Sequence, residues 1–326
     1  MFSDEVLVQH LREGLSATQI CKRLKVAWGS GIKHRLDRLR EDGGIPLVNG
    51  RGHGNVPLDA IQTEQRINEY MAAEGRQHFK LNDGVLLVAS DAHYWPGIVS
   101  TAHRAFVKFA REMKPSCLVM NGDGFDGAKI SRYPRIGWDK RPSVLDELKA
   151  VKERLTEIEE ACGTKNLFWP LGNHDARFET FLAAHASEYE GVTGFHLRDH
   201  FPLWRPCWSL WLNDSVVVKH RYKGGIHAAH TNTASAGKTM VTGHLHSLKV
   251  TPLSDYNGTR YGVDTGTLAA PYGPQFSDYT EDAPTNWRAG FAVLTFWRGT
   301  LLWPELCHVL DEEQGIIEFR GTVLKV

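Results

Sequence analysis

Apolar and polar positions divide the chain into a short helical front, a Gly- and Pro-rich stretch, and a long region where strands and helices alternate. Val6, Leu7 and Leu11 recur at helical spacing, and Gly14 closes that helix. Ser16 can cap a second helix carrying Ile20 and Leu24, and a turn over 26–31 leads to a third with Ile32, Leu36 and Leu39. Residues 43–57 read as a linker, and Asp59 can open a helix running to about Ala73. The continuous run Val85 to Ala89 has the look of a buried strand. Behind it come a helix with Ala102, Ala105, Phe106, Phe109 and Met113 on one face, a stop at Pro115, and a strand from Cys117 to Asn121. Ser143 then caps a long helix with Leu145, Leu148, Val151, Leu155 and Ile158 in register, a third strand covers 166–171, and another helix starts near Ala176.

Beyond that point the period shortens to two. Trp208, Leu210 and Leu212 alternate, Asn213-Asp214 turns, and Val216 and Val218 alternate toward His220. A short strand covers 239–242, Asn257-Gly258 is a strong hairpin turn, and 291–297 reads as another strand. Parallel βαβ units followed by hairpins predict an α/β domain with two packed sheets. The expected organisation is a small all-α module over 1–45, a linker and helix over 46–82, and the large domain over 83–326. Trp204, Trp208 and Trp211 are expected in the core.

Composition narrows the classes. Of 326 residues, 42% are apolar and 23% charged, with acids and bases in balance, so attraction to nucleic acid or membrane has to be local. No apolar run approaches the ~18 residues of a membrane span, and the N-terminus lacks a signal-peptide pattern. Five scattered cysteines without a Cys-x-x-Cys pair predict reduced thiols in a cytoplasmic protein. One local imbalance stands out. Residues 20–40 hold seven Lys or Arg against one acid, Asp37. The pattern Gly-Leu-Ser-x-x-x-Ile-x-x-x-Leu-x-Val there resembles a helix-turn-helix module. That resemblance implies nucleic-acid contacts from Lys33, Arg35 and Arg38, with the third helix in a major groove. The alternative is a protein-contact module with a solvated basic face.

The chemistry gathers at strand ends. Asp91-x-His93, Gly122-Asp123-x-x-Asp126, Gly172-Asn173-His174-Asp175, His220 and Gly243-His244-x-His246 each follow an apolar run. Any one of them is an ordinary turn; all five in this order offer carboxylates, an amide oxygen and imidazoles for two divalent metals. Such mixed ligands suit manganese, with iron or zinc as alternatives, whereas magnesium wants mostly oxygen. In a strand, i and i+2 point the same way, so Asp-x-His and His-x-His are expected to present both side chains to one site. The flanking glycines allow close backbone approach.

This order of motifs resembles the calcineurin-like metallophosphoesterase superfamily over roughly residues 83–310. The resemblance implies an αββα sandwich of two mixed β-sheets. It implies one metal held by Asp91, His93, Asp123 and His246, and another by Asp123, Asn173, His220 and His244, with Asp123 bridging. His227 and His230 compete with His220 for that match, and otherwise are candidate substrate-side groups. His174 is expected to serve the leaving oxygen without binding metal, oriented by Asp126. Arg177, or the arginines among Arg132, Tyr133, Arg135, Trp138 and Arg141, could clamp a phosphate oxygen.

Gly127-Ala128 follows the second acid, where protein phosphatases of the superfamily have Arg-Gly, and the Asn-His pair ends in Asp rather than Glu. Both departures look more like the phosphodiesterase and nuclease branch. A helix-turn-helix ahead of such a domain resembles an arrangement of bacteriophage and bacterial exonucleases. That likeness implies a hydrolase cutting phosphodiester bonds in DNA, in a bacterium or phage-infected host cell. A phosphatase or small-nucleotide phosphodiesterase is the first alternative, and a non-catalytic DNA-binding protein the second.

Overall fold

A computed structural model describes residues 3–13, 15–26, 29–43, 75–134, 138, 140–276, 280 and 283–326. The linker from residue 44, the helix expected from Asp59, the stop at Gly14 and Arg135 lie outside the described residues. The chain divides into two compact units, Met1–Ala73 and Glu74–Val326.

In the first unit, α1 (Asp4–Arg12), α2 (Ala17–Leu24) and α3 (Ser30–Gly43) follow the predicted stripes. Leu7, Leu11, Ile20 and Leu36 close a small core. Ser16 caps α2 as expected: its Oγ accepts from Gln19 N (3.3 Å), and Gln19 Oε1 accepts from Ser16 N (2.8 Å). Such a reciprocal cap contributes about 1 kcal/mol. Lys33 and Arg38 on α3 are exposed, but Arg35 is half-buried and pairs with Asp4 at 2.6 Å. Arg35 therefore ties α3 to α1, and the exposed positive charge rests on the other two.

The second unit runs β1 (Arg76–Phe79), β2 (Gly84–Ala89), α4 (Thr101–Met113), β3 (Cys117–Met120), α5 (Val144–Ala161), β4 (Leu167–Pro170), α6 (Asp175–His185), α7 (Leu197–His200), β5 (Arg205–Cys207), β6 (Ser209–Leu212) and β7 (Val216–Val218). It continues with α8 (Ala228–Ala236), β8 (Thr239–Thr242), β9 (Lys249–Asp255), β10 (Gly258–Asp264), β11 (Gly290–Trp297), β12 (Thr300–Leu301), β13 (Glu305–Asp311), β14 (Ile316–Phe319) and β15 (Thr322–Lys325). Two mixed sheets result. One has the order β1-β6-β7-β8-β10-β9; the other has β15-β14-β13-β11-β2-β3-β4-β5, with β12 on β11.

The layers follow from alternation. Leu210, Leu212, Val216, Val218, Val241 and Val263 of the first sheet face Leu86, Val88, Val119, Phe168 and Leu294 of the second. The other face of the second sheet, with Leu87, Ala89, Leu118 and Met120, meets Phe106 and Phe109 of α4 and Val151, Leu155 and Ile158 of α5. Each such side chain gains about 1.5–3 kcal/mol on leaving water. On the outer face of the first sheet, α8 packs so closely that a Cβ on Gly262 would stand 2.0 Å from Ala229 O. The stack is helix, sheet, sheet, helix: an αββα sandwich.

Some expectations are corrected. Residues 76–79, assigned to the linker segment, form β1 and pair in parallel with β6, so the large unit starts at Glu74. On α5 the buried stripe runs through Glu147 and Leu148, and Leu145 is 59% exposed. Trp204 is buried, but Trp208 is 52% exposed; it sits where the chain leaves β5 for β6, with its N–H bonded to Gly75 O. All five cysteines are free and buried. No helix among the described residues is long and apolar enough to cross a membrane.

Candidate metal centre

The loops leaving β2, β3, β4, β7 and β8 converge at one end of the sandwich. The β2–β3 ladder does not stop with the strands: Asp91 N donates to Gly122 O (2.9 Å), His93 N to Asp123 O (2.9 Å) and Tyr94 N to Gly124 O (3.0 Å). The device expected for Asp-x-His and His-x-His, a straight strand with i and i+2 on one face, is not what brings them together. Asp91, His93, Asp123, His244 and His246 all have positive φ, between +38° and +72°. Left-handed backbone costs a non-glycine residue about 1–2 kcal/mol, and here it turns successive side chains inward. Two glycines make room. Gly122 has φ +82°, and a Cβ on Gly172 would lie 2.0 Å from Asp123 Oδ1.

The donors fall into overlapping clusters. Asp91, His93 and His246 form one, Asp123, His220 and His244 another, each with ligand atoms within 4.8 Å of one another. His93, Asp123 and His174 meet the same criterion. His220, rather than His227 or His230, joins the centre; those two are exposed. His220 Nδ1 donates to Asn121 O at 2.7 Å, which leaves Nε2 bare, 3.1 Å from Asp123 Oδ2. His93 Nδ1 donates to Asp126 Oδ1 at 2.7 Å and likewise turns a bare Nε2 inward. His246 Nε2 stands 3.2 Å from Asp91 Oδ1. The other oxygen of Asp91 accepts from His244 N at 2.9 Å.

His174 lies beside Asp126 and Arg177. Its Nδ1 is 2.9 Å from Asp126 Oδ1, and its Nε2 is 3.2 Å from an Arg177 guanidinium nitrogen. Arg177 also donates to Asp126 O at 2.9 Å. Asp126 thus orients two histidines, His93 as well as His174; the motif pattern suggested the second and gave no sign of the first. Burial works against the Asp126 carboxylate, but hydrogen bonds from both rings outweigh it and hold its pKa far below the usual range. His174 is raised: burial opposes, and the Asp123 and Asp126 charges prevail.

Two buried acids behind the centre had no assigned role. Asp175 Oδ2 accepts from Asp123 N (2.8 Å), Gly172 N (2.8 Å) and Trp169 Nε1 (3.0 Å), while its Oδ1 accepts from Phe125 N (3.0 Å). It fastens the loop after β3 to the loop after β4. Glu147 accepts from Gly127 N (2.6 Å) and Ala128 N (3.1 Å), bracing the turn that carries Asp126. Its position on the apolar stripe of α5 was the available signal.

The residues fit divalent metal. Asp91 Oδ1, His93 Nε2, Asn173 Oδ1, His220 Nε2 and His246 Nδ1 are buried with no hydrogen-bond partner. A buried polar atom so left costs roughly 1–3 kcal/mol; here the atoms belong to side chains predicted as ligands. The field agrees. Burial pushes His220 down, but the Asp123 and Asp91 carboxylates override it and lift the pKa to about 10. A potential that holds a proton so firmly also favours a cation.

No family profile matches the chain, and no curated protein is similar to it in sequence. Among solved structures, vacuolar protein sorting 29 of Cryptosporidium parvum aligns with 75% of this chain and 100% of its own, at 10% identity and a TM-score of 0.41. The zinc-complexed wild-type Vps29 of Entamoeba histolytica aligns with 74% of this chain and 96% of its own, at 11% identity and 0.38. A predicted phosphoesterase of Streptococcus pneumoniae aligns with 70% of this chain and 90% of its own, at 10% identity and 0.32. Likenesses this distant carry no activity across.

Proposed function

We propose that this chain is a dinuclear metal-dependent phosphodiesterase acting on DNA. The observation that carries the reading is the set of orphaned buried donors from separate loops, gathered around the Asp123 carboxylate. Asp91, His93, Asp123 and His246 would hold one ion, and Asp123, Asn173, His220 and His244 the other. Bound divalent ions supply Lewis-acid charge to a phosphoryl group and make a nearby water more acidic. The chain's own groups do the rest. Asp126 accepts from His174 Nδ1 and so turns Nε2 toward the Asp123 side of the centre, where it can hold or deliver a proton at the leaving oxygen. Arg177, with a guanidinium nitrogen 3.2 Å from Nε2, can donate to a non-bridging phosphate oxygen. The DNA preference rests on the exposed Lys33 and Arg38 of α3.

The test is purified protein with manganese, offered bis-p-nitrophenyl phosphate, p-nitrophenyl phosphate and labelled DNA. Cleavage of the diester and of DNA is expected. Preference for the monoester would replace the reading with a phosphatase, and silence toward all three with metal bound would leave a DNA-binding protein. Asp123→Asn should abolish metal binding and turnover together, since both ion positions draw on that carboxylate.

A further inference from the structure

The outer face of the first sheet carries two chemistries. α8 packs on β8, β9 and β10, while β1, β6 and β7 present charge. Register assigns the side chains. Arg76 pairs with Ser209 and His78 with Trp211, and across the next boundary Trp211 pairs with Val217 and Leu210 with Val218. Leu210, Leu212, Val216 and Val218 turn into the core between the sheets. The alternating positions Arg76, His78 and Trp211, and Lys219 just past β7, therefore turn outward.

These positions are cationic and continuous with the metal centre. The Arg76 guanidinium lies 4.3 Å from the Trp211 ring, and Lys238 Nζ lies 5.9 Å from the same ring. Ser209 pairs with Arg76, and continuing the β6–β7 register sets Lys219 opposite the same Ser209, so the two cations lie on one line across the sheet. Arg221 is exposed, and it flanks His220 in sequence together with Lys219. Positive groups thus run from the two neighbours of His220 to Arg76. Among the described residues no carboxylate forms an ion pair with Arg76, Lys219 or Arg221; the acid at the far edge, Asp214, pairs with His78 at 3.4 Å. Net charge over the whole chain is zero, so this row is a local excess. Like charges gathered on one face call for an anionic partner.

We propose that this row is the track for the phosphodiester backbone of a polynucleotide strand continuing beyond the scissile phosphate. The proposal rests on the reading of the metal centre as a phosphodiesterase, and names the part of the substrate that reaches past it. β1 and β7 flank β6, so Arg76 and Lys219 stand two strand spacings apart, about 10 Å. A small diester cannot span the interval between these two cations, whereas a strand presents one phosphate after another.

The experiment compares wild type with Arg76→Gln/Lys219→Gln, full length and loaded with manganese, on a labelled single-stranded oligonucleotide and on bis-p-nitrophenyl phosphate. Removing two phosphate contacts should make the slope of log kcat/KM against log salt shallower by about 1.4 for the single-stranded oligonucleotide, and should not do so for the small diester. An unchanged oligonucleotide slope, or an equal change for both substrates, overturns the track. If wild type cleaves neither substrate, the catalytic reading fails by itself, and the track is judged by oligonucleotide anisotropy: a shallower salt slope in the variant upholds it, and an identical slope rejects it. If the double variant misfolds or loses metal, Arg76→Gln alone, outside the metal-binding loops, is read the same way with half the change.

Discussion

Replacing His103 with Gln should remove a pH-dependent part of the stability of this fold. His103 is 1% exposed, on α4. Its Nδ1 lies 3.0 Å from the Tyr94 hydroxyl and its Nε2 2.8 Å from the Glu157 carboxylate. A neutral ring protonated on Nε2 suits both neighbours, since Nε2–H donates to Glu157 and Nδ1 accepts the Tyr94 O–H. Burial pushes the ring pKa down to about 4 in spite of the pull from Glu157, against about 6.5 in an unfolded chain. Between those values the unfolded state takes up a proton that the native state refuses. The contribution is therefore fully present above about pH 6.5 and is lost as pH falls through about 4. A gap of about 2.5 units corresponds to about 3 kcal/mol. Urea unfolding of wild type and His103→Gln, followed by tryptophan fluorescence between about pH 7 and pH 4, measures it. Wild type should lose about 3 kcal/mol more than the variant across that window. Parallel losses would refute the assignment of His103 as a neutral buried link. The consequence reaches the metal centre, because Tyr94 directly follows His93.

Three further outcomes are expected. His174→Ala should retain its metals yet turn over roughly 10²–10⁴-fold more slowly; elemental analysis finding the variant depleted of metal would make His174 a ligand instead. Gly172→Ala should lose manganese affinity while keeping its helical circular dichroism, because the new methyl would meet Asp123 Oδ1 at 2.0 Å and Asp123 N at 2.5 Å; titration calorimetry at wild-type affinity would contradict the close approach. Lys33→Gln/Arg38→Gln should weaken DNA binding and lower its salt slope by about 1.4–1.8; binding indistinguishable from wild type would move the DNA contact off α3.

What was legible in the sequence was what periodicity and turn chemistry encode. Phe106 and Phe109 on α4, the Ser16 cap and the Asn257-Gly258 hairpin all stand where spacing put them. The centre was legible as an ordered set of polar residues behind apolar runs. Its construction was not. Positive φ at Asp91, His93 and Asp123 is imposed by hydrogen bonds to loops distant in sequence, and a local reading returns a strand there. α8, with the sequence Ala-Ala-His-Thr-Asn-Thr-Ala-Ser-Ala, has no apolar stripe; it is held by Ala229 lying against Gly262, a contact that periodicity cannot announce. Leu145 lies off the buried face of α5, where hydrophobicity alone would place it. A carboxylate that satisfies the Gly127 and Ala128 amides is buried there instead.

Asp175 has a consequence for how cations arrive. Four N–H groups from two stretches of chain, 123–125 and 169–172, close on its carboxylate, and they include the amides of Asp123 and Gly172. These bonds use three amides and an indole N–H, and none of the side-chain atoms that the proposed metals would claim. On the metal reading proposed above, a chelator should therefore leave the loops after β3 and β4 tied to each other.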